Sequence, residues 1–462
     1  MKQPFNLQSP DGGLLTSIKV GTGSLGSTNR LSLAYSYDSF GNIKTLGEAY
    51  NGGGTSNHSF AYDAQNRVTG AFDQTFGWSA AGNLSSKPVP DTSGSSQAYS
   101  YAWSQDGANP HGVKWVGVGQ GATTNRTVTV RAKGSVSGGV WPTMELWVNG
   151  VKRQTWTVNT TSYTDYSVTA PLTAASQIDV RLTNDSGPRD LLVSSLKVDG
   201  VAYTPLTSAV MDRGVNGAAF DGVDLRAGGN LYWNGALRFV VGDGVSMGYD
   251  ENGNLSYKVD SSGAWIYLYD HENRLESVTR NGALQESYLY DDGGQRVKKV
   301  SGGTTWYYPF PQVEVQVTGT AAAAELASGA PYTLTVPVTD TQAVVARVYL
   351  PHVGTTSSVD AAAVAAGNVY KYYFFNGQRI ALRGPGYLHY LHGDHLGSTV
   401  LTTYSSNGTR ASERGYYAFG SERRADGPHL ATDYRFTGQK VGQCLTPPLA
   451  ESASPARRQC SR

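Results

Sequence analysis

Hydrophobic and polar positions alternate along most of the chain with the period of two that marks half-buried β-strands. The pattern is plainest in "TVTVRAKG", "MELWVNGVKRQTWTV", "YTDYSVTA", "QIDVRLTND" and "DLLVSSLKVDGVAY", between residues 127 and 203. Gly, Asn or Pro separates these runs, and the Asn149-Gly150 pair is the residue pair a two-residue hairpin demands. Five such strands in about 100 residues predict a β-sandwich. Trp147 and Trp156 flank the hairpin, either as core residues or as a flat face for a sugar. A polar joint, "SKPVPDTSGSSQAYS" (86–100), precedes this block and reads as a boundary.

Outside the block the alternation is punctuated by a recurring phrase: an aromatic, an Asp, a turn, then Asn or Arg and an aliphatic residue. "YDSFGNI" starts at Tyr37, "YDAQNRV" at Tyr62, "YDENGNL" at Tyr249, "YDHENRL" at Tyr269 and "YDDGGQRV" at Tyr290. "WSAAGNL" from Trp78 and "FFNGQRI" from Phe374 are weaker copies. The closest neighbours lie 20 and 21 residues apart, one strand-turn-strand unit per repeat, too small to form a core alone and therefore stacked on the next. The stretch 316–366 interrupts the repeats; its "YTLTVPV" and "AVVARVYL" predict two or three strands.

Composition supports an all-β chain: 56 Gly and 29 Tyr among 462 residues, with 39 % apolar. Lys plus Arg (37) balance Asp plus Glu (36), so nothing invites nucleic acid. No run of 18 apolar residues occurs, which excludes a helical membrane span, and residues 1–20 lack the pattern of a signal peptide. Cys444 and Cys460 are the only cysteines, leaving the preceding chain without a disulfide or thiolate site.

One stretch carries candidate chemistry. "TNDSGPRDLLV" (183–193) sets Asp185 and Asp190 around Ser-Gly-Pro-Arg, which Gly187 and Pro188 force into a turn. Two carboxylates so close repel, by roughly 3 kcal/mol at an effective dielectric near 20. A solvated turn, an ion pair with Arg189 or a hard cation collecting oxygens would each accommodate them. Glu145 and Asp165 are weaker candidates. "LHYLHGDHLGS" gathers His389, His392, Asp394 and His395, but a strand sends residues three apart to opposite faces. No G-x-S-x-G, H-E-x-x-H or P-loop is present, and a non-enzymatic role is expected.

The repeat phrases resemble the YD repeats of the Rhs family. "YLHYLHGDHLGSTVLTTYSSNGTRASERGYYAFG" (387–420), followed by "YRFTGQK" (434–440), is similar to the closing part of an Rhs core. The likeness implies a β-sheet spiral, a partial shell here, that in longer members encloses a C-terminal toxin; a larger Rhs assembly is the partner it suggests. The family's DPxGRF-like boundary is absent after Lys440, where the chain ends in a Pro-rich, aromatic-free tail.

Residues 115–204 resemble the calcium-dependent xylan-binding modules, carbohydrate-binding families 36 and 60, through "MELWVNGV", "YTDYSV" and "TND…RDLLV" in order. That likeness implies a jelly-roll sandwich whose loop-bound Ca2+ is coordinated by protein oxygens and two vicinal sugar hydroxyls. It assigns Asp185, Asp190 and the Arg189 carbonyl to the calcium, with the Val140 or Trp141 carbonyl as a further ligand. Asp185, Asp190 and Trp141 would meet a xylan-like polysaccharide. The expected organisation is a YD-repeat segment over 1–90, the sandwich over 105–206, repeats over 210–315, the insertion 316–366, a closing segment 367–440 and a disordered or frame-shifted tail 441–462. The expected function is extracellular or cell-surface carbohydrate attachment; the alternative is a toxin-shell fragment whose sugar binding is incidental or lost.

Overall fold

The computed structural model describes residues 13–22, 30–90, 96–103, 113–118, 123–214, 219–222, 224–242, 244–318, 332–339, 342–348, 368–428, 430 and 432–440. The tail 441–462 and most of 316–366 lie outside them. The fold is all-β: the described helices are one turn at Pro205–Ser208 and a 3-10 turn at Phe436–Gly438. Two compact units divide the chain, Phe76–Ser287 and the residues on either side of it.

The central unit contains the sandwich. Its strands are β1 (Thr124–Gly134), β2 (Thr143–Val148), β3 (Val151–Thr157), β4 (Thr164–Leu172), β5 (Ala175–Leu182), β6 (Leu191–Val198), β7 (Val201–Tyr203), β8 (Ala209–Arg213), β9 (Leu225–Arg226), β10 (Asn230–Leu231) and β11 (Gly235–Gly242). One sheet runs β4-β1-β6-β7, with β10 also on β6; the other runs β3-β2-β5-β11-β8-β9. Alternation decides the packing. Val128, Val130, Met144, Leu146, Ile178, Val180, Leu182, Leu191, Leu196 and Phe239 point inward and are fully buried between the sheets. Each such side chain contributes about 1.5–3 kcal/mol. Asn149 and Gly150 form the expected hairpin turn with φ of 48° and 79°, placing Val148 opposite Val151. Asp199-Gly200 repeats the device between β6 and β7.

The sandwich runs past residue 206, because β11 pairs along its whole length with β5. This strand also welds the sandwich to the repeats of the same unit. Arg238, on β11, grips Asp179 of β5 with Nε and Nη2, both at 2.9 Å, and its Nη1 donates to the Tyr257 hydroxyl at 3.0 Å. Tyr257 belongs to the repeat strand Leu255–Asp260. Val210, Val240, Val259, Ala264 and Ile266 pack around that contact.

The repeat phrase in its Asp form builds the same turn wherever it is described. In "YDHENRL", the Asp270 amide donates to the Arg274 carbonyl, and the Asn273 amide donates back to the Asp270 carbonyl. Asp270 Oδ1 accepts the amides of Glu272 and Arg274, both at 2.9 Å, while Oδ2 accepts Arg274 Nε at 2.8 Å. The third residue after the Asp has positive φ: 84° at Gly41, 59° at Asn66, 83° at Gly253 and 60° at Asn273. Only Gly and Asn take that conformation readily, which accounts for the G-N and N-R forms of the phrase. Ser79 replaces the Asp in "WSAAGNL" and still accepts the Asn83 amide. "FFNGQRI" differs, because Phe375 pairs with Gln378 across a two-residue Asn-Gly turn.

In the other unit, six antiparallel strands run from Ser17 to Thr75. From Arg296 to Asp426 each described strand again pairs with the next, except at the insertion. There Val313–Thr318 pairs directly with Asn368–Phe375, and Tyr332–Thr339 pairs with Gln342–Val348 as a hairpin of two strands. Ile18, Val20, Leu31, Leu33, Val400 and Leu401 form part of this unit's core.

Candidate functional site

The loop from Thr183 to Asp190 joins β5 to β6, the two strands that cross from one sheet to the other. Gly187 turns it with φ of 62°. Neighbouring polar side chains fix its shape. Asn184 donates Nδ2–H to the Trp141 carbonyl at 3.1 Å and accepts the Thr143 amide at 2.6 Å. The Asp185 amide donates to Asn234 Oδ1 at 2.8 Å, and the Asp190 amide to Ser135 Oγ at 2.9 Å. The Ser135 hydroxyl in turn donates to the Pro188 carbonyl.

Arg189 does not pair with either carboxylate, contrary to the ion pair its position suggested. Its guanidinium donates to three backbone carbonyls: Val140 through Nε at 3.1 Å, Ser137 through Nη2 at 3.1 Å and Asn184 through Nη1. A planar fork with five donors suits that task better than an ammonium. It staples the 137–140 turn to the loop and leaves the acids free.

The acids are correspondingly short of partners. Asp185 Oδ1 is buried and accepts no hydrogen bond. Burial pushes the Asp185 carboxyl above its ordinary range, the nearby Asp190 charge pushes it further, and the Arg189 charge opposes both. Such a pair calls for a proton or a cation. The surrounding oxygens are hard donors of the kind Ca2+ takes, so the orphaned carboxylate fits that ion. Among the described residues no group of three or more His, Cys, Asp and Glu comes together, so carbonyl, water or ligand oxygens would have to complete the shell.

The carbonyls separate clearly. Val140 accepts both the Ser137 amide and Arg189 Nε, so its carbonyl is the more heavily engaged of the two. Trp141 accepts one hydrogen bond and retains capacity. The other acids are engaged: Asp165 pairs with Arg131 at 2.9 Å, and Glu145 takes Trp147 Nε1 at 2.9 Å and Lys152 Nζ at 3.1 Å. Trp147 lies under the Arg181 guanidinium, 4.1 Å from its ring centre, and Trp156 packs against the sandwich core.

The histidine-rich stretch is another repeat turn. Asp394 Oδ1 accepts the Leu396 and Ser398 amides at 2.9 and 2.8 Å, with Gly397 at φ 79°. His392 is buried, bonded through Nε2 to Thr403 Oγ1, and burial lowers its pKa to about 4. His389 packs between Tyr387 and Tyr404. His395 meets the Tyr35 hydroxyl at 3.2 Å.

Asn184, Asn234, Ser135 and the Arg189 side chain were not singled out from the sequence. Asn184 stands in the quoted "TND"; Asn234 lies 49 positions from its partner and carries no local signal.

Comparison with known proteins bears on this segment. Residues 127–213 match the CBM60 family. Its description is a Ca-dependent carbohydrate-binding module, xylan-binding, and the match contains Asp185, Asp190 and Trp141. Among solved structures, vCBM60 in complex with galactobiose is 30 % identical, covering 24 % of this chain and 96 % of that one, TM-score 0.20. A selenomethionine form of vCBM60, described with a circular permutation linking two families of calcium-dependent carbohydrate-binding modules, is 26 % identical, covering 33 % and 99 %, TM-score 0.21. The TcdB2-TccC3 crystal structure is 12 % identical over 93 % of this chain, TM-score 0.27; this chain spans 19 % of it. No curated protein matches the chain. Among the described residues, no helix is long and apolar enough to cross a membrane.

Proposed function

We propose that the sandwich binds a xylan-like polysaccharide through Ca2+ and that the repeat sheets are its non-enzymatic scaffold, acting at a cell surface or outside the cell. The observation that carries this reading is the buried, unpartnered Asp185 Oδ1 beside Asp190, inside the segment matched to CBM60. Asp185, Asp190 and the Arg189 and Trp141 carbonyls would hold the ion, which when bound offers exchangeable positions to sugar hydroxyls. Arg189 and Asn184 keep the loop in the shape that presents those oxygens. Stapling the loop beforehand lowers the entropy that ion binding would otherwise have to overcome.

The test is calorimetric titration of the full chain with Ca2+ and then with xylohexaose, each repeated in chelator. Sugar heat should appear only with Ca2+, and Asp185→Ala should abolish both signals; sugar binding that persists in Asp185→Ala would overturn the ligand assignment. The regular Asp turns in both units favour a second reading, a piece of an Rhs-type shell belonging to a larger assembly. Silence toward both Ca2+ and sugar would leave that reading standing alone.

A further inference from the structure

Strand β8 lies between the sandwich and the repeats of its unit. Ala209 and Met211 belong to the sandwich core, whereas Val210 belongs to the apolar cluster around Tyr257. By alternation Asp212 points the same way as Val210, opposite Leu225 on β9 and Ala236 on β11. It is fully buried, at 0 % exposure. Its Oδ2 accepts the Gly222 amide at 2.5 Å, while Oδ1 accepts no hydrogen bond.

The Asp221 carboxyl, itself exposed, lies within hydrogen-bonding reach of Asp212. Two carboxylates are both acceptors, so a hydrogen bond between them requires a proton. Calcium would need several more oxygens, whereas the face around Asp212 carries Val210, Phe220 and Leu225. Burial raises the Asp212 carboxyl to about 7; the Gly222 amide opposes that rise and the Asp221 charge adds to it. The other charges on the elements packed against β8 are committed elsewhere: Arg238 to Asp179, Lys258 to Asp260 at 2.9 Å, and Arg226 to Asp224 at 3.0 Å. Arg213, on β8 itself, also turns to Asp224, at 3.6 Å. The remaining titratable groups on those elements are the phenols of Tyr257, Tyr267 and Tyr269.

The segment that Asp212 holds is short but well connected. Two residues before Gly222, the Phe220 ring meets Tyr257 edge-on at 5.1 Å and carries the Arg238 guanidinium 3.9 Å from its centre. Residues 220–222 therefore cover the contact through which Arg238 joins β5 to the repeat strand.

We infer that Asp212 and Asp221 form a proton-operated latch: a proton shared between them holds residues 220–222 over the Arg238–Tyr257 contact, and its loss loosens them. With the proton gone, two like charges face each other and one is wholly buried. Asp212 is fixed in β8, so the exposed Asp221 is the group that moves away, taking Gly222 and Phe220 with it and admitting water to Asp212. Between the ordinary carboxylate range and about 7, the closed form keeps a proton that the open form releases. Opening therefore becomes up to about tenfold easier per pH unit in that window and levels off above it. The latch is independent of the calcium reading, and Asp185 and Asp190 take no part in it.

Hydrogen exchange of the full-length chain from about pH 5 to about pH 8, in chelator and corrected for the intrinsic rate at each pH, reads the peptide that contains Gly222. Its protection should fall about tenfold or more between pH 5 and pH 7 and then level off. Asp212→Asn offers an acceptor to Gly222 and a donor to Asp221 without charge, and should hold protection constant across the range. Asp221→Asn donates to the Asp212 carboxylate and should move the fall to lower pH. Protection independent of pH in the unaltered chain overturns the latch, as does the same fall in Asp212→Asn. Should Asp212→Asn fail to fold, an unshifted fall in Asp221→Asn, altered at an exposed side chain, overturns it equally. Ca2+ that restores protection at about pH 8 in Asp185→Ala, where the loop site is removed, would assign the pair to a cation and overturn the shared proton.

Discussion

The repeat turns and the 183–190 loop both place aspartates at tight bends, yet they treat the carboxylates in opposite ways. In the repeats the acid is saturated. At Asp38, the Asn42 side chain, with the Asn42 and Phe40 amides, holds the carboxyl below its usual range. At Asp63 and Asp270, desolvation is outweighed by the amide and side-chain donors of Arg67 and Arg274. At Asp185 burial and the nearby Asp190 charge outweigh the Arg189 charge and the Ser186 amide, and one oxygen has no partner. An acid whose bonds are complete has finished its work as part of the backbone. One left incomplete in a well-stapled loop is available to a ligand.

A third acid sharpens the contrast. Asp179 is more buried than any of these, at 2 % exposure, and is answered by two guanidinium groups, Arg238 and Arg181. Despite desolvation, those charges keep its carboxyl below its ordinary range. Arg238→Ala should therefore produce the largest effect, about 3–5 kcal/mol of lost stability, because it strands a buried charge and severs the tie to Tyr257. Urea unfolding of the full chain would measure it; a loss under about 1 kcal/mol would mean that Arg181 alone suffices.

The comparison between turn and loop predicts opposite signs. Asp270→Ala removes an acceptor of three hydrogen bonds and should cost about 1 kcal/mol, as for loss of a helix cap. Asp185→Asn should raise the stability of the calcium-free chain, since it deletes an uncompensated charge. Its pH dependence follows from the raised pKa. Between the ordinary carboxylate value and the raised one, the folded chain binds more protons than the unfolded chain, so this group's contribution falls as pH rises through that window and then levels off. Asp185→Asn should remove that component, leaving a difference curve that grows with pH and then flattens. Ca2+ binding at the proposed site should run the other way and weaken as acid protonates the carboxylates. Thermal unfolding across pH, with and without Ca2+, tests both; equal signs for the two substitutions would dissolve the contrast.

The sequence made some of this visible. Alternation in "MELWVNGVKRQTWTV" and the Asn149-Gly150 pair gave the hairpin because both signals are local. The Asp phrase was legible for the same reason: every donor to Asp270 lies within four residues. What escaped is long-range. Arg189 beside two acids reads as an ion pair, whereas its actual partners include Ser137 and Val140, about 50 positions earlier. Gly235–Gly242 lies in the stretch expected to be repeat, and only the fold makes it the neighbour of β5. The copy in "HGDHLGS" is hidden in the sequence because His392 and Gly393 precede its Asp394 in place of an aromatic, and Ser398 stands where other copies have Asn, Arg or Gln.

The smallest effect concerns the link between successive repeats. Asn42 Nδ2 donates to Asn66 Oδ1 at 3.0 Å in one unit, and Asn254 Nδ2 to Asn273 Oδ1 at 3.0 Å in the other. The donor sits in a G-N turn and the acceptor in the N-R turn that follows, so the two phrase types interlock rather than merely alternate. The acceptor also holds positive φ, so Asn serves both needs where Gly serves one. Asn273→Gly retains the conformation and removes only the bridge, with an expected loss of about 0.5–1 kcal/mol, set against a control Gly253→Ala that strains a left-handed position by about 1 kcal/mol or more. If Asn273→Gly costs nothing in urea unfolding, the N-R form exists for its backbone geometry alone. A loss within the expected range would make the turn asparagines, with the saturated aspartates beside them, the register pins of the stack.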